Sequence, residues 1–122
     1  MQKLNKDLNL TDLDSWGTLV DLGSEVLSGN GKCYGKVTLG NPTENAHAGY
    51  FAVEKSKFRM TYPFNEQATV VKGRVTLTNE GTGEQQTFNE GESWMVTKGT
   101  QVLWQVESDY FIKHYFAAVE LA

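Results

Sequence analysis

Residues 57–78 read KFRMTYPFNEQATVVKGRVTLT, and residues 88–106 read FNEGESWMVTKGTQVLWQV. In the first stretch Phe58, Met60 and Tyr62 alternate with Lys57, Arg59 and Thr61, the two-residue period of a strand with one buried face. In the second, Val102, Trp104 and Val106 alternate with Gln101, Leu103 and Gln105 in the same way. Between the strands the glycines keep fixed distances. Glu66 precedes Gly73 by six intervening residues and Gly91 precedes Gly99 by seven. Glycine at such points supplies the backbone freedom of tight turns between antiparallel strands.

Outward from these stretches the pattern continues. From Gly31 onward short apolar-alternating runs predict strands over 32–39, 49–53, 57–62, 67–72, 74–78, 84–88, 93–96, 101–106 and 110–117. Turns fall at Glu80-Gly81-Thr82-Gly83, Asn89-Glu90-Gly91, Lys98-Gly99 and Glu107-Ser108-Asp109. Pro42 and Pro63 lie at strand ends or in loops, where a missing N–H costs little. The fold class is therefore all-β, a sandwich or barrel. Residues 1–30 show no sustained period. They are expected to form an N-terminal arm or edge element with turn-like points at Asp14-Ser15 and Ser28-Gly29-Asn30, and with room for a helical turn or two in 10–20. Residues 31–122 are expected to form one domain.

Composition bounds the function. A chain of 122 residues suits one core, since a domain of this size buries about two-thirds of its extended-chain surface. Fifteen acidic against eleven basic residues give a net charge of −4, and the bases are scattered, so nucleic-acid binding lacks its electrostatic basis. The opening MQKLNKDLNLTDLDSW has no apolar run of signal-peptide length, and nothing approaches a membrane span. The expected location is the cytoplasm, with no membrane partner. Cys33 is the only cysteine. It excludes an intrachain disulfide and is expected to pack as a small buried hydrophobe.

The segments AGYFAVEKSKFRMTYPFNEQATVVKGRVTLTNEGTGE (48–84), FNEGESWMVTKGTQVLWQV and YFIKHYF (110–116) resemble the cupin superfamily, and within it the small cupins of the ureidoglycine aminohydrolase and ethanolamine-utilisation Q type. The carrying features are a Tyr-Pro-x-x-Glu phrase at Tyr62 to Glu66, the gap to Gly73, the spacing from Gly99 to Trp104, and Lys113 near the end of the last strand. The resemblance implies a double-stranded β-helix, an antiparallel barrel or jelly roll with a cavity at one mouth. It also implies a metal site of His-x-His, a glutamate and a later histidine. Met60, Tyr62 and Val102 stand at the histidine positions here, and only Glu66 remains as a competent ligand.

A cupin metal needs about three or four nitrogen or oxygen donors. The expectation is therefore no metal cofactor, and a small polar metabolite bound in the barrel mouth by Met60, Tyr62, Glu66, Val102 and Trp104. Catalytic candidates are Glu66, Tyr62 and Lys113. An isolated Glu66 in an apolar mouth would suffer desolvation and suit general acid or base work; alternatively it pairs with Arg59, Arg74 or Lys113. Tyr62 either donates to a substrate carbonyl or fills the barrel. Lys113 either binds an anion, forms a Schiff base when desolvated, or pairs with Glu66. Of Trp94 and Trp104, the second is the expected pocket wall.

Two alternatives stand beside this one. The first is a divalent-transition-metal enzyme acting on ureido or amino compounds, its ligands Glu66 with His47 or His114. His47 is expected in the polar loop NPTENAHAGY, and neither histidine matches a family ligand position. The second is a non-catalytic interaction protein. A homodimer is expected in either case, formed through sheet edges or an exchanged arm from residues 1–40.

Overall fold

The computed structural model describes residues 1–121; Ala122, the last residue of the expected domain, lies outside the described residues. Eleven strands follow in chain order: β1 (Asp14–Thr18), β2 (Glu25–Gly29), β3 (Lys32–Gly40), β4 (Ala46–Glu54), β5 (Ser56–Thr61), β6 (Asn65–Lys72), β7 (Val75–Asn79), β8 (Gln85–Phe88), β9 (Ser93–Val96), β10 (Gln101–Val106) and β11 (Tyr110–Ala118). They build two sheets, β1-β3-β4-β11-β6-β9 and β2-β5-β10-β7-β8, and every pairing is antiparallel. Packed face to face, the sheets form the all-β jelly-roll barrel that the alternating pattern predicts.

The inner face follows the two-residue period. Phe58, Val102, Trp104 and Val106 are buried, while Gln101 and Gln105 are exposed. Phe58 stacks on Trp104 at 5.2 Å, and Trp104 meets Trp94 and Phe111 edge-on. Aromatic pairs in these geometries add to the energy of area burial and leave the core few alternative packings. Cys33 is fully buried in this core, and burial first, then Asp21, raises its thiol to about 11, as suits an inert packing residue.

β4, and β11 as far as Lys113, are buried on both faces. Tyr50, Ala52 and Ile112 point outward yet form a second cluster with Leu13, against which Leu8 and Leu10 pack. The segment before β1 lies across this outer face, and the Asn5 amide donates to the Tyr50 hydroxyl at 2.7 Å. Of residues 10–20, only Leu10–Asp12 forms a helical turn, of 3-10 type, and the chain then enters β1. The expected turn at Asp14-Ser15 is instead strand, because both residues pair with β3. The reversal falls at 19–24, where the Leu22 and Gly23 amides donate to the Leu19 and Val20 carbonyls. Residues 14–18 and 25–29 thereby add an edge strand to each sheet.

Gly73 and Gly91 show what the glycine frame does. Both have φ of +88°, a region where side chains with a Cβ are strained. At Gly73 a Cβ would also collide with the Tyr110 carbonyl oxygen and the Ser108 hydroxyl, whereas at Gly91 it would meet open space.

Candidate functional site

Strand register decides which polar groups face the barrel interior. On β11, Phe111, Lys113, Tyr115 and Ala117 are buried inward. Ala117 has His47 of β4 opposite it on one side and Glu66 of β6 on the other. Ala117 itself is fully buried between them. Lys113, four residues earlier on the same face, extends its side chain towards Glu66, and its Nζ donates to Glu66 Oε1 at 2.6 Å. Both side chains are deeply buried, 6% and 2% exposed.

Around the ammonium stand five rings: Trp104 at 4.9 Å from Nζ to centroid, Phe51 at 5.3 Å, Tyr115 at 5.5 Å, Trp94 at 5.6 Å and Tyr62 at 5.9 Å. Their faces offer a cation partial compensation for lost water. Desolvation still dominates and lowers the Lys113 ammonium below the usual lysine value, with Glu66 opposing. Burial, reinforced by the charge of Glu66, raises the Tyr62 phenol well above its ordinary value and Tyr115 to about 12. The Tyr62 hydroxyl donates a long bond, 3.4 Å, to Glu66 Oε1. Both recorded bonds of the carboxylate thus fall on Oε1, and among the described residues Oε2 receives none. The Trp94 and Trp104 indole N–H groups lie close enough to the Tyr62 hydroxyl to oppose its shift, yet neither meets hydrogen-bond geometry and both remain without a partner.

The pair borders a cavity of ≈ 530 Å³ at the barrel mouth. Phe58, Met60 and Trp104 wall it on the five-stranded sheet, and His47, Phe51, Glu66, Lys113 and Tyr115 on the six-stranded sheet. Trp16, Leu19 and Leu22, from β1 and the turn after it, complete the rim. Tyr62 and Val102 line a separate, smaller depression of ≈ 290 Å³ beside Trp94. Of the five ligand-binding candidates, Met60, Glu66 and Trp104 therefore share the large cavity, and Tyr62 reaches that group only through its hydroxyl. Trp94 packs edge-on against Trp104 in the aromatic core and is the less buried of the two, 8% against 1% exposed.

Two expectations are corrected here. His47 is not in a polar loop: β4 begins at Ala46, and His47 is 4% exposed on the cavity wall. Its ring stands edge-on to Phe64 and Tyr115, its Nδ1 has no partner, and burial lowers it below the ordinary value, which keeps the ring neutral. The alternation of Val53, Phe51 and Gly49 extended two residues backwards reaches His47, so the signal was present. His114 faces the opposite side of the sheet from Lys113, bonded to the Thr38 hydroxyl at 2.9 Å and edge-on to Tyr50. It is not a partner of Glu66. Of the two readings of Glu66, isolated or paired, the structure has the paired one, with Lys113 on one oxygen; Arg59 pairs instead with Glu80 and Glu25.

The donor set does not fit a cupin metal. The family's histidine positions offer a thioether, a phenol held protonated and an alkyl group. The cavity itself offers only Glu66 and His47, and an ammonium already lies against the carboxylate. Among the described residues no group of three or more His, Cys, Asp or Glu comes together as a metal would require.

A two-sheet antiparallel barrel with an inward glutamate at its mouth defines a cupin. The profile of the EutQ-like cupin domain matches residues 40–115, and the chain belongs to that family. Among solved structures, the Clostridium difficile EutQ protein is similar over 74% of this chain and 71% of its own, with 18% identity and a TM-score of 0.61. A protein of unknown function of the DUF861 family from Pseudomonas syringae pv. tomato is similar over 94% of this chain and 46% of its own, with 18% identity and a TM-score of 0.76. A Rhizobium leguminosarum protein of unknown function is similar over 98% of this chain and 100% of its own, at 17% identity and a TM-score of 0.62. No curated protein matches. Among the described residues no helix is long and apolar enough to cross a membrane.

Proposed function

We propose that this cupin binds a small metabolite in the ≈ 530 Å³ mouth cavity, with an apolar body against the rings and a polar head at the Lys113–Glu66 pair. The observation that carries this reading is the pair itself, buried yet bordering open space. Two ions removed from water cost more than their attraction returns unless further hydrogen bonds satisfy them. Lys113 has three N–H donors and spends one on Glu66. An oxygen-bearing head group, carbonyl, hydroxyl or carboxylate, supplies acceptors for the others. Glu66 Oε2, which receives no bond among the described residues, can fix its orientation.

The cavity volume falls within the range of small-molecule sites, about 300–1,000 Å³. Trp16 and Trp104 line it, so binding is readable as a change in tryptophan fluorescence together with a thermal shift across a panel of small cyclic oxygen compounds. The half-buried Met60 gives the control. Met60→Trp should fill the space beside Trp104 and weaken every hit while the barrel stays folded. Hits that bind Met60→Trp as well as the parent protein would place the ligand elsewhere and end the proposal.

A further inference from the structure

We infer that Lys113 captures an aldehyde or ketone ligand covalently, as an iminium formed inside the mouth cavity with Glu66 as its proton shuttle. This rests on the proposed function, since the carbonyl carbon must reach Nζ through that cavity, and goes beyond it by assigning a reaction. Three placements carry it. Lys113 lines the cavity, a volume a ligand can enter. Glu66 Oε1 lies 2.6 Å from Nζ, within proton-transfer distance, and Oε2 is free to serve the second heavy atom. Finally, the ammonium is held among aromatic rings rather than in water, the setting that makes a lysine amine available as a nucleophile. Burial lowers Lys113 in the direction this chemistry needs.

The atoms balance without a co-reactant. Lys113 passes one proton to Glu66, and the freed amine attacks the carbonyl carbon, forming the C–N bond as the C=O π pair moves to oxygen. A second proton passes from nitrogen to that oxygen and gives a neutral carbinolamine. Protonated Glu66 then returns its proton to the hydroxyl, the C–O bond breaks, and water departs as the nitrogen lone pair closes the C=N bond. Ammonium plus carbonyl has become iminium plus water, and the carboxylate is regenerated. A cation stands beside the Glu66 carboxylate at the start and again at the end, so the rings that accommodate the ammonium also accommodate the iminium. The tetrahedral carbon forms in the cavity that Lys113 and Glu66 both line.

The test is reductive trapping. Benzaldehyde with cyanoborohydride should give a first benzyl adduct that peptide mass spectrometry assigns to Lys113, ahead of the surface lysines and of the Met1 amine. Lys113→Arg keeps the charge and removes the nucleophile, and should lose the fast phase. Glu66→Gln should slow it by about 100-fold, the scale of general acid–base assistance. Mapping in the unaltered protein keeps the test valid even where a variant folds poorly. An adduct spread over surface lysines without excess at Lys113 overturns the inference, as does a Glu66→Gln rate equal to the parent's. Benzyl alcohol, the same body without a carbonyl, separates the two levels. Saturable quenching by benzyl alcohol with no Lys113 adduct removes the covalent step and leaves the proposed function standing, whereas no saturable binding of either compound removes both.

Discussion

The Lys113–Glu66 pair makes a quantitative demand on stability. With side chains 6% and 2% exposed, each ion loses its charged partner when the other is deleted, so Lys113→Met and Glu66→Leu should each destabilise by about 3–5 kcal/mol, the usual cost of leaving a buried charge without its partner. Replacing both removes both charges, and the double variant should lie within about 2 kcal/mol of the parent, since apolar replacement of a buried pair is often neutral or favourable. The two single costs would sum to about 6–10 kcal/mol, so a coupling of at least about 4 kcal/mol is expected. Urea denaturation followed by tryptophan fluorescence measures all four proteins, provided the m-value is unchanged. For a chain of this size about 3–5 °C of melting temperature accompanies each kcal/mol, so calorimetry should show each single variant at least about 10 °C below the parent. Single variants costing under about 1 kcal/mol that add in the double would mean that water already satisfies both ions, and the demand for a ligand head group at the pair would fail with them.

Other consequences are smaller. His47 is buried neutral, with its folded value below the ordinary 6.5. The unfolded chain therefore takes up the proton first, and stability should fall as pH drops below about 6.5, by up to about 1.4 kcal/mol per pH unit for this residue. A His47→Gln profile that keeps the parent's slope between pH 6.5 and 5 would contradict this. Gly91→Ala should cost only the left-handed strain, about 1–2 kcal/mol, while Gly73→Ala adds collisions and should cost clearly more; equal urea midpoints would refute the difference. Leu39, Ala48, Phe116 and Met95 lie in one cross-strand row, interrupted by Gln67, on the outer face of the six-stranded sheet, and three of them are exposed. We expect a homodimer over this row, so light scattering should give a dimer for the parent and a monomer for Phe116→Glu, and a parent monomeric at high concentration would remove the idea.

The barrel was legible because its signals are local. The alternation of Phe58, Met60 and Tyr62 and the turns at Gly73, Gly91 and Gly99 are properties of neighbouring residues, and each strand from 32 to 118 falls within a few residues of its expected place. Which inward residues share one volume was not legible, because register between distant strands decides it. Val102 pairs directly with Met60 in register, yet the first lines the small depression and the second the large cavity. Residues 14–29 were obscure for a related reason. Each short edge strand is held by its partner, β3 or β5, more than by its own period, so neither announced itself, and Trp16 and Leu19 went unrecognised as part of the mouth.

The absent histidines and the buried lysine have a common electrostatic basis. An inward carboxylate at an aromatic barrel mouth is untenable as a lone charge, because its desolvation is not repaid. A metal held by histidines would neutralise it; here Met60, Tyr62 and Val102 cannot assemble that metal, and the ammonium of Lys113 neutralises it instead. The exchange changes the available chemistry. A metal polarises a ligand through empty coordination positions, whereas an ammonium offers N–H donors and, once it yields a proton to Glu66, a lone pair. Glu66 alone is thus a poor marker of function in this chain. Its meaning follows from the cation beside it, and Lys113→Arg, which preserves the charge and abolishes the lone pair, separates a site that only holds its ligand from one that reacts with it.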